Sequence, residues 1–548
     1  QIGARFRIDP VTARIIRNRG IEGEAAIDRY LNGTLDDLYD PMLLKDMERA
    51  VSILCEAVDT GKKIRIVGDY DIDGVCSTYI LLQAFERLGS DVDFEIPDRI
   101  KDGYGINESI IEQAHADGVE VILTCDNGIS AFHQVELAKK YGMTVVITDH
   151  HEVPLDGEKE KIPPADAVID PKQADCPYPF PEICGAVVAY KLVQVLYARR
   201  GVPQMEWLDL LEFAAIATVG DVMKLQDENR ILVKYGLKKM AQTKNLGLRR
   251  LAEKNNLDLG AITAYHIGFV IGPCLNAGGR LKTAKEALAL LRAQSEEEAE
   301  RLAEELKELN DTRKDMTEQG TEAAKLQVES WYQKDKVLVV FLPECHESLA
   351  GIIAGRLREY YQKPAIVLTR GEEAVKGSGR SIDEYHMFKK LTEVSDLLLK
   401  FGGHPLAAGL SLEEKNIDEF RRRLNENAGL TEEDFKAKVW IDVPMPVGYV
   451  TERLVRELSC LEPFGQGNEK PLFAEKSLRI RASRVLGRNR NVVKMTLEET
   501  DGHAIEALYF GDGTAFEEER AGRREIDVVY YPDINEYNGR KTLQEVIR

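Results

Sequence analysis

The 548-residue chain has no apolar run near the roughly 18 residues that a membrane-spanning helix needs, so the sequence predicts no membrane partner. Cysteine is sparse. The eight residues include no CxxC pair, which argues against a zinc ribbon or a disulfide-built fold. Reduced thiols in a cytoplasmic protein are the expectation. The opening "QIGARFRIDP" lacks the apolar stretch of a secretory leader. Excess positive charge is missing too: 73 Lys and Arg stand against 93 Asp and Glu, a net −20. That deficit argues against a broadly cationic nucleic-acid surface. It does not exclude an acidic site that metal ions neutralise. Repeats and low-complexity tracts are also absent. What remains, 44% hydrophobic and 30% charged, is globular and long enough for two to four domains.

From about Gly61 to Gly220, apolar strand patterns such as "KIRIVGDYD", "DVDFEIPD", "VEVILTCDNG" and "MTVVITDHH" alternate with helical stretches. This alternation predicts an α/β lobe with a parallel, doubly wound sheet. "KIPPADAVIDPKQADCPYPFPEICG" reads as a long, functional loop. "SEEEAERLAEELKELNDTRKDMTEQGTEAAKLQVES" has helical apolar spacing and predicts one long helix, with Gly320 as its weak point. A smaller α/β segment follows, and the last part has short strands and polar turns that suggest a barrel. The expected boundaries are 1–292, 293–330 for the connecting helix, 331–435 and 436–548.

Apolar runs stop at acids four times. "IVGDYDIDG" gives Asp69, Asp71 and Asp73, "ILTCDNG" gives Asp126, "ITDHH" gives Asp149, His150 and His151, and "AAIATVGDVM" gives Asp221. All four are read as C-terminal strand ends, with the first acids on one strand face. An uncompensated cluster of this kind repels itself. Carboxylates with imidazoles suit Mn²⁺ or Mg²⁺. Asp69 and Asp149 are the weakest members, expected to support rather than ligate.

The segments "GDYDIDGVCST", "CDNGIS", "TDHHEVP" and "ATVGDVM" resemble, in order, the four motifs of the DHH phosphoesterase superfamily. "GPCLNAGGRL", "HESLAGIIAGRL", "KGSGRS" and "GGHPLAAG" narrow the resemblance to its single-strand-specific 5′→3′ DNA exonucleases, the RecJ family. Ile72 and Cys76 stand where that family commonly shows Ala and Thr. The resemblance implies a DHH lobe, a long helix, a DHHA1 lobe and a C-terminal OB-type barrel. It further implies two ions, with Asp126 bridging, Asp71 on one side, and Asp73, His150 and Asp221 on the other. His151 would sit close by, touching phosphate or orienting a ligand. Two ions roughly 3.5–4 Å apart clamp both oxygens of an in-line displacement.

For the substrate, backbone N–H groups at Gly278, Gly279 and Gly403 read as phosphate cradles, with Asn276, Arg280, Ser378, Arg380 and His404 beside them. Arg99 adds a cation and Tyr104 a base-stacking surface. The basic run "RIRASRVLGRNRNVVK" suggests a groove for single-stranded backbone. Single-stranded DNA is therefore the expected ligand. A helicase and a single-strand-binding protein are candidate partners to which no residue pattern points. Rival readings are an oligoribonuclease or cyclic-dinucleotide phosphodiesterase of the same superfamily, and a non-catalytic replication or repair scaffold.

Overall fold

The computed structural model describes residues 2–537 and 540–548. Its first sheet has five parallel strands: β1 (Ile64–Val67), β2 (Val92–Glu95), β3 (Val121–Cys125), β4 (Thr144–Thr148) and β5 (Ala167–Ile169). Their order is β2-β1-β3-β4-β5. β1 and β3 are buried at every residue, as strands covered on both faces must be. Arg65 survives inside β1 because its guanidinium bonds Asp93 at 2.7 Å and Asp117 at 2.8 Å. The strand order reverses between β1 and β3. Beyond the carboxyl ends at such a reversal, doubly wound sheets bind their ligands.

β5 comes out of the Pro-rich stretch that the sequence suggests is all loop. Three residues pair with β4, too few to show a period. The helices Ile72–Arg87 and Gly185–Arg200 are apolar on nearly every side and pack together. Both begin at the crevice above β1 and β3.

The long helix is continuous over Glu296–Gln327, about 48 Å. Ser295 caps it by accepting from the Glu298 N–H at 3.2 Å, with three glutamates in the first turn, which suits the positive end of the helix dipole. Leu302 and Leu306 belong to the first lobe's core, and Ala324 and Val328 to the second lobe's. Gly320 is a point of close packing: a Cβ there would lie 2.5 Å from Ile353 Cδ1.

The second lobe is a mixed sheet of β6 (Leu338–Phe341), β7 (Ala365–Arg370), β8 (Val375–Arg380), β9 (Leu398–Gly403) and β10 (Ala407–Leu412), ordered β9-β10-β8-β7-β6. The last domain uses β11 (Val443–Pro444), β12 (Phe473–Leu486), β13 (Val492–Glu498), β14 (Ala504–Phe510), β15 (Glu525–Tyr537) and β16 (Arg540–Ile547). β15 pairs with β12 and closes the barrel.

The N-terminal segment corrects the sequence reading, which joined it to the catalytic lobe. Ile15, Ile16, Ile27 and Tyr30 share a core with the barrel. Short amphipathic helices have an apolar face but do not specify what covers it. Buried Arg230 ties this unit to the first lobe, donating to the Tyr30, Leu461 and Cys460 carbonyls at 3.1, 2.9 and 2.8 Å. No helix among the described residues is long and apolar enough to cross a membrane.

Inside the barrel, Glu545 is fully buried and neither carboxyl oxygen has a partner. Burial, helped by Glu475 and Glu499, pushes it up to about 9 from an ordinary 4.5. The folded carboxyl stays protonated while the unfolded one ionises. Stability from this group is therefore lost as pH rises from about 4.5, and the loss levels off above about 9. Glu545→Gln should flatten that decline, so thermal unfolding at about pH 8 shows a gain that is smaller at about pH 5. Parallel pH profiles for the two proteins would contradict the assignment.

Candidate active site

β1 ends at Val67, so Asp69, Asp71 and Asp73 do not converge by strand alternation as the sequence suggests. They converge because the chain turns into a helix. Asp71 is its N-cap, and its Oδ1 accepts from the Asp73 and Gly74 N–H groups at 3.0 and 3.1 Å. Asp73 lies in the first turn. Its two oxygens each accept, at 2.7 Å, from the Gly185 and Ala186 N–H groups of the facing helix. Asp221 is likewise not at a strand end: it follows the helix Leu211–Gly220.

Asp126, just past β3, has φ 60°, a left-handed backbone that costs energy in a non-glycine residue. It is held there from two sides. Its N–H donates to the Thr148 carbonyl at 3.1 Å, and a Cβ on Gly185 would lie 2.7 Å from Asp126 Cβ. After β4, Asp149 accepts from the Ile129 N–H at 2.9 Å and the His150 N–H at 2.8 Å, and from His151 Nδ1 at 2.7 Å. Burial opposes both charges most, but this bond and the neighbouring opposite charges together prevail: Asp149 is held below the usual carboxylate range and His151 is raised to about 9. Burial holds His150 below its ordinary value.

His150 Nε2 lies 3.1 Å from Asp126, 3.4 Å from Asp73 and 3.8 Å from Asp221. Ligand atoms gather in three overlapping groups: Asp69–Asp71–Asp126, Asp73–His150–Asp221 and Asp126–His150–His151. Asp126 thus lies between two sets, and Asp69, expected only to support, joins one of them. The donor set fits hard divalent cations. Asp69 Oδ2 and His150 Nδ1 are buried without partners. Burial, then neighbouring carboxylates, pushes Asp69 and Asp221 up to about 8 and raises Asp71 and Asp126 as well. Cations relieve this repulsion. Cys76 is buried and its thiol pushed far up, an inert packing residue.

Beside the crevice, a cavity of about 640 Å³ opens between the lobes, and Tyr70, Arg99, Arg280, Ser378 and Arg380 all line it. Arg356 and Lys376 line it as well; both stand inside the motifs "HESLAGIIAGRL" and "KGSGRS", but the sequence reading singled out neither. Lys376 pairs with Glu347 at 2.9 Å. Among the described residues, Arg99, Arg280, Arg356 and Arg380 have no ion-pair partner. Burial, with Arg99 and Arg313 nearby, lowers Arg280 to about 10. Arg280 donates to the Ser348 carbonyl at 3.0 Å, and Arg99 lies over the Tyr70 ring at 4.8 Å.

Other predicted positions differ. Asn276, Gly278 and Gly279 lie within the helix Gly272–Leu281, not in a loop. A Cβ on Gly279 would lie 2.4 Å from the Tyr70 carbonyl and one on Gly278 2.7 Å from that of Thr283. These glycines permit close packing and are not N–H cradles. Asn276 is half-buried on the same helix. Gly403, at φ 149°, and exposed His404 make a turn closed by the His404 N–H on the Ala407 carbonyl at 2.8 Å. They lie outside the cavity lining. Tyr104 keeps its ring half in solvent, while its hydroxyl donates to the Asp126 carbonyl at 2.6 Å and faces His151 Nδ1 at 3.1 Å. Asp170, just past β5, was missed. It is buried, with Oδ2 unpartnered, and burial raises it to about 7. Its signal, an acid ending "AVID", was hidden among prolines.

Mn²⁺ should raise the melting temperature of the wild type, by the equivalent of about 2.7 kcal/mol at a hundredfold excess over its dissociation constant. Asp126→Ala should lose most of that shift. Its metal-free melting temperature should hold or rise, since one repelling carboxylate is gone. An unchanged Mn²⁺ shift in this variant would remove Asp126 from the centre.

Family models match residues 63–218 as the DHH family N-terminal domain, 334–429 as the DHHA1 domain and 441–548 as the RecJ OB domain. The single-stranded-DNA-specific exonuclease RecJ of Bacillus subtilis is 37% identical over 99% of this chain and 68% of its own length. That of Escherichia coli is 34% identical, over 98% and 95%. The crystal structure of Thermus thermophilus RecJ in complex with Mn²⁺ superposes with a TM-score of 0.84 at 29% identity, covering 100% of this chain and 76% of that one. The shared motifs, the three matched domains and these likenesses over nearly the whole of this chain place it in the RecJ family of DHH phosphoesterases.

Proposed function

We propose that this protein removes mononucleotides from the 5′ end of single-stranded DNA in a reaction that needs two Mn²⁺ or Mg²⁺ ions. One observation carries the reading. An acidic crevice suited to cations adjoins, through Tyr70 and Arg280, a cavity whose arginines have no counter-ion. A strand end with its terminal phosphate in the cavity would lay its first phosphodiester across the crevice.

Asp71, Asp73, Asp126, His150 and Asp221 would hold the ions, with Asp126 shared and Asp69 assisting. Bound there, the ions supply charge neutralisation at the phosphate and an acidified water. The chain does the rest. Asp149 fixes the His151 ring toward the phosphate, and Tyr104 braces both His151 and the Asp126 backbone. Arg280 faces the scissile group. Arg99 from the first lobe, with Ser378 and Arg380 from the second, would bind the terminal phosphate and thereby set polarity. Exposed Arg479, Arg484 and Arg488 on the barrel hairpin would hold the strand further along.

Family membership supports the finer reading, a cytoplasmic enzyme of DNA repair and recombination acting with a helicase and a single-strand-binding protein. The barrel argues against a cyclic-dinucleotide or oligoribonucleotide substrate, and the complete ligand set argues against a scaffold.

End-labelled single-stranded DNA, duplex DNA and RNA, digested with and without Mn²⁺, test the reading. The expected result is 5′ mononucleotides from single-stranded DNA, with metal only. Release from the 3′ end, or metal-independent cleavage, would reject it. A charge-assisted contact of about 1.5–3 kcal/mol predicts that 5′-phosphorylated strands are degraded roughly ten- to a hundredfold faster than 5′-hydroxyl strands. Arg380→Ala should erase most of that ratio. Equal slowing of both strands would place Arg380 at the scissile group or in the fold.

A further inference from the structure

The two helices that carry metal-centre carboxylates also line a second cavity, toward their other ends. The helix Ile72–Arg87 starts at Asp71 and Asp73, and the helix Leu211–Gly220 runs up to Asp221. Gln83 and Arg87 of the first, with Glu212 and Phe213 of the second, border a space of about 550 Å³. Glu212 precedes Asp221 by nine residues, about 14 Å of helix. This cavity has no lining residue in common with the interlobe cavity, and none of the metal-centre acids or histidines lines it.

Glu212 is only 4% exposed. Its Oε1 accepts from the Thr243 hydroxyl at 2.7 Å, but Oε2 is buried without a partner. A buried acceptor left unpaired is destabilising, and burial raises this carboxyl to about 7 from an ordinary 4.5. Cations stand in the same lining but are engaged elsewhere: Arg87 by Glu206, Lys239 and Lys244 by Asp209, and Arg292 by Glu86. One aspartate serves two lysines, and the Lys244 side chain is 82% exposed, so positive charge is left over on that side. Tyr79 and Phe213, with ring centroids 4.3 Å apart, add an apolar wall, and Gln83 and Gln242 add amides.

We propose that this cavity binds a free guanine nucleotide, its base donating from N1–H and the 2-amino group to the Glu212 carboxylate and its phosphates lying among Arg87, Lys244 and Arg292. A carboxylate presents two acceptors side by side. Guanine presents two adjacent N–H donors on its pairing edge, whereas adenine and cytosine set one amino group beside an acceptor. The amides of Gln83 and Gln242 suit the remaining base acceptors, O6 and N7. A cationic ligand would also pair with a carboxylate, but four cations in the lining oppose it. The volume lies within the range of small-molecule sites. The site is separate from the metal centre and does not depend on the exonuclease reading.

Calorimetric titration of the full-length protein in Mn²⁺ with GDP, IDP and ADP tests this. IDP lacks the 2-amino donor, and ADP places an acceptor where guanine has N1–H. GDP should bind roughly ten- to a hundredfold tighter than either, at one molecule per chain. Phosphate-only binding among the interlobe arginines would treat the three nucleotides alike. Glu212→Gln keeps the shape but sets an amide donor against the base donors. It should level the three affinities, with thermal unfolding checking the fold. Arg380→Ala should leave the guanine preference unchanged. Equal affinity of wild type for all three nucleotides, or no binding, would overturn the site without recourse to any variant. A guanine preference that survives Glu212→Gln would overturn it as well. Loss of the preference in Arg380→Ala would also do so, by moving the nucleotide to the interlobe cavity.

Discussion

Mutual repulsion among buried carboxylates is the constraint around which the catalytic lobe is built. Asp69, Asp71, Asp73, Asp126 and Asp221 converge on one crevice with His150. The fold offsets part of the cost with the amino ends of two helices, whose N–H groups bind Asp71 and Asp73 and whose dipoles favour negative charge. It spends backbone strain at Asp126 to keep that carboxylate in the middle. Gly185 and Gly74 permit the close approaches, since a Cβ on Gly74 would lie 2.4 Å from the Asp69 carbonyl. The remaining repulsion is what bound cations relieve.

The cavity between the lobes answers with the opposite sign. Among the described residues, Arg99, Arg280, Arg356 and Arg380 face one cavity without an ion-pair partner, with Glu347 and Glu359 also in its lining, so an acidic site stands beside a mainly basic one. A bound strand would satisfy both, through metal ions on one side and directly on the other. The net charge of −20 therefore hides a local arrangement that a phosphodiester fits. The long helix Glu296–Gln327, packed into both lobe cores, holds the two sites at a fixed spacing.

Much of this was legible in the sequence, for a physical reason. Parallel strands buried on both faces must be apolar, so an acid at their end stands out, and Asp126, Asp149 and the two histidines follow from that contrast. What was not legible shares one cause: local pattern does not tell which element delivers a side chain. Asp73 and Asp221 read as strand-end acids but come from a helix start and a helix end. Gly278 and Gly279 read as a phosphate loop, but their missing Cβ atoms serve close packing. Ile15 and Ile16 mark an apolar face, but only the structure shows the barrel covering it.

Five converging carboxylates and a buried imidazole call for two cations with Asp126 between them. Anomalous diffraction from crystals soaked in Mn²⁺ measures this directly. Two peaks per chain are expected, one among Asp69, Asp71 and Asp126, the other among Asp73, His150 and Asp221, with Asp126 reaching both. A single peak, or peaks away from these side chains, would contradict it.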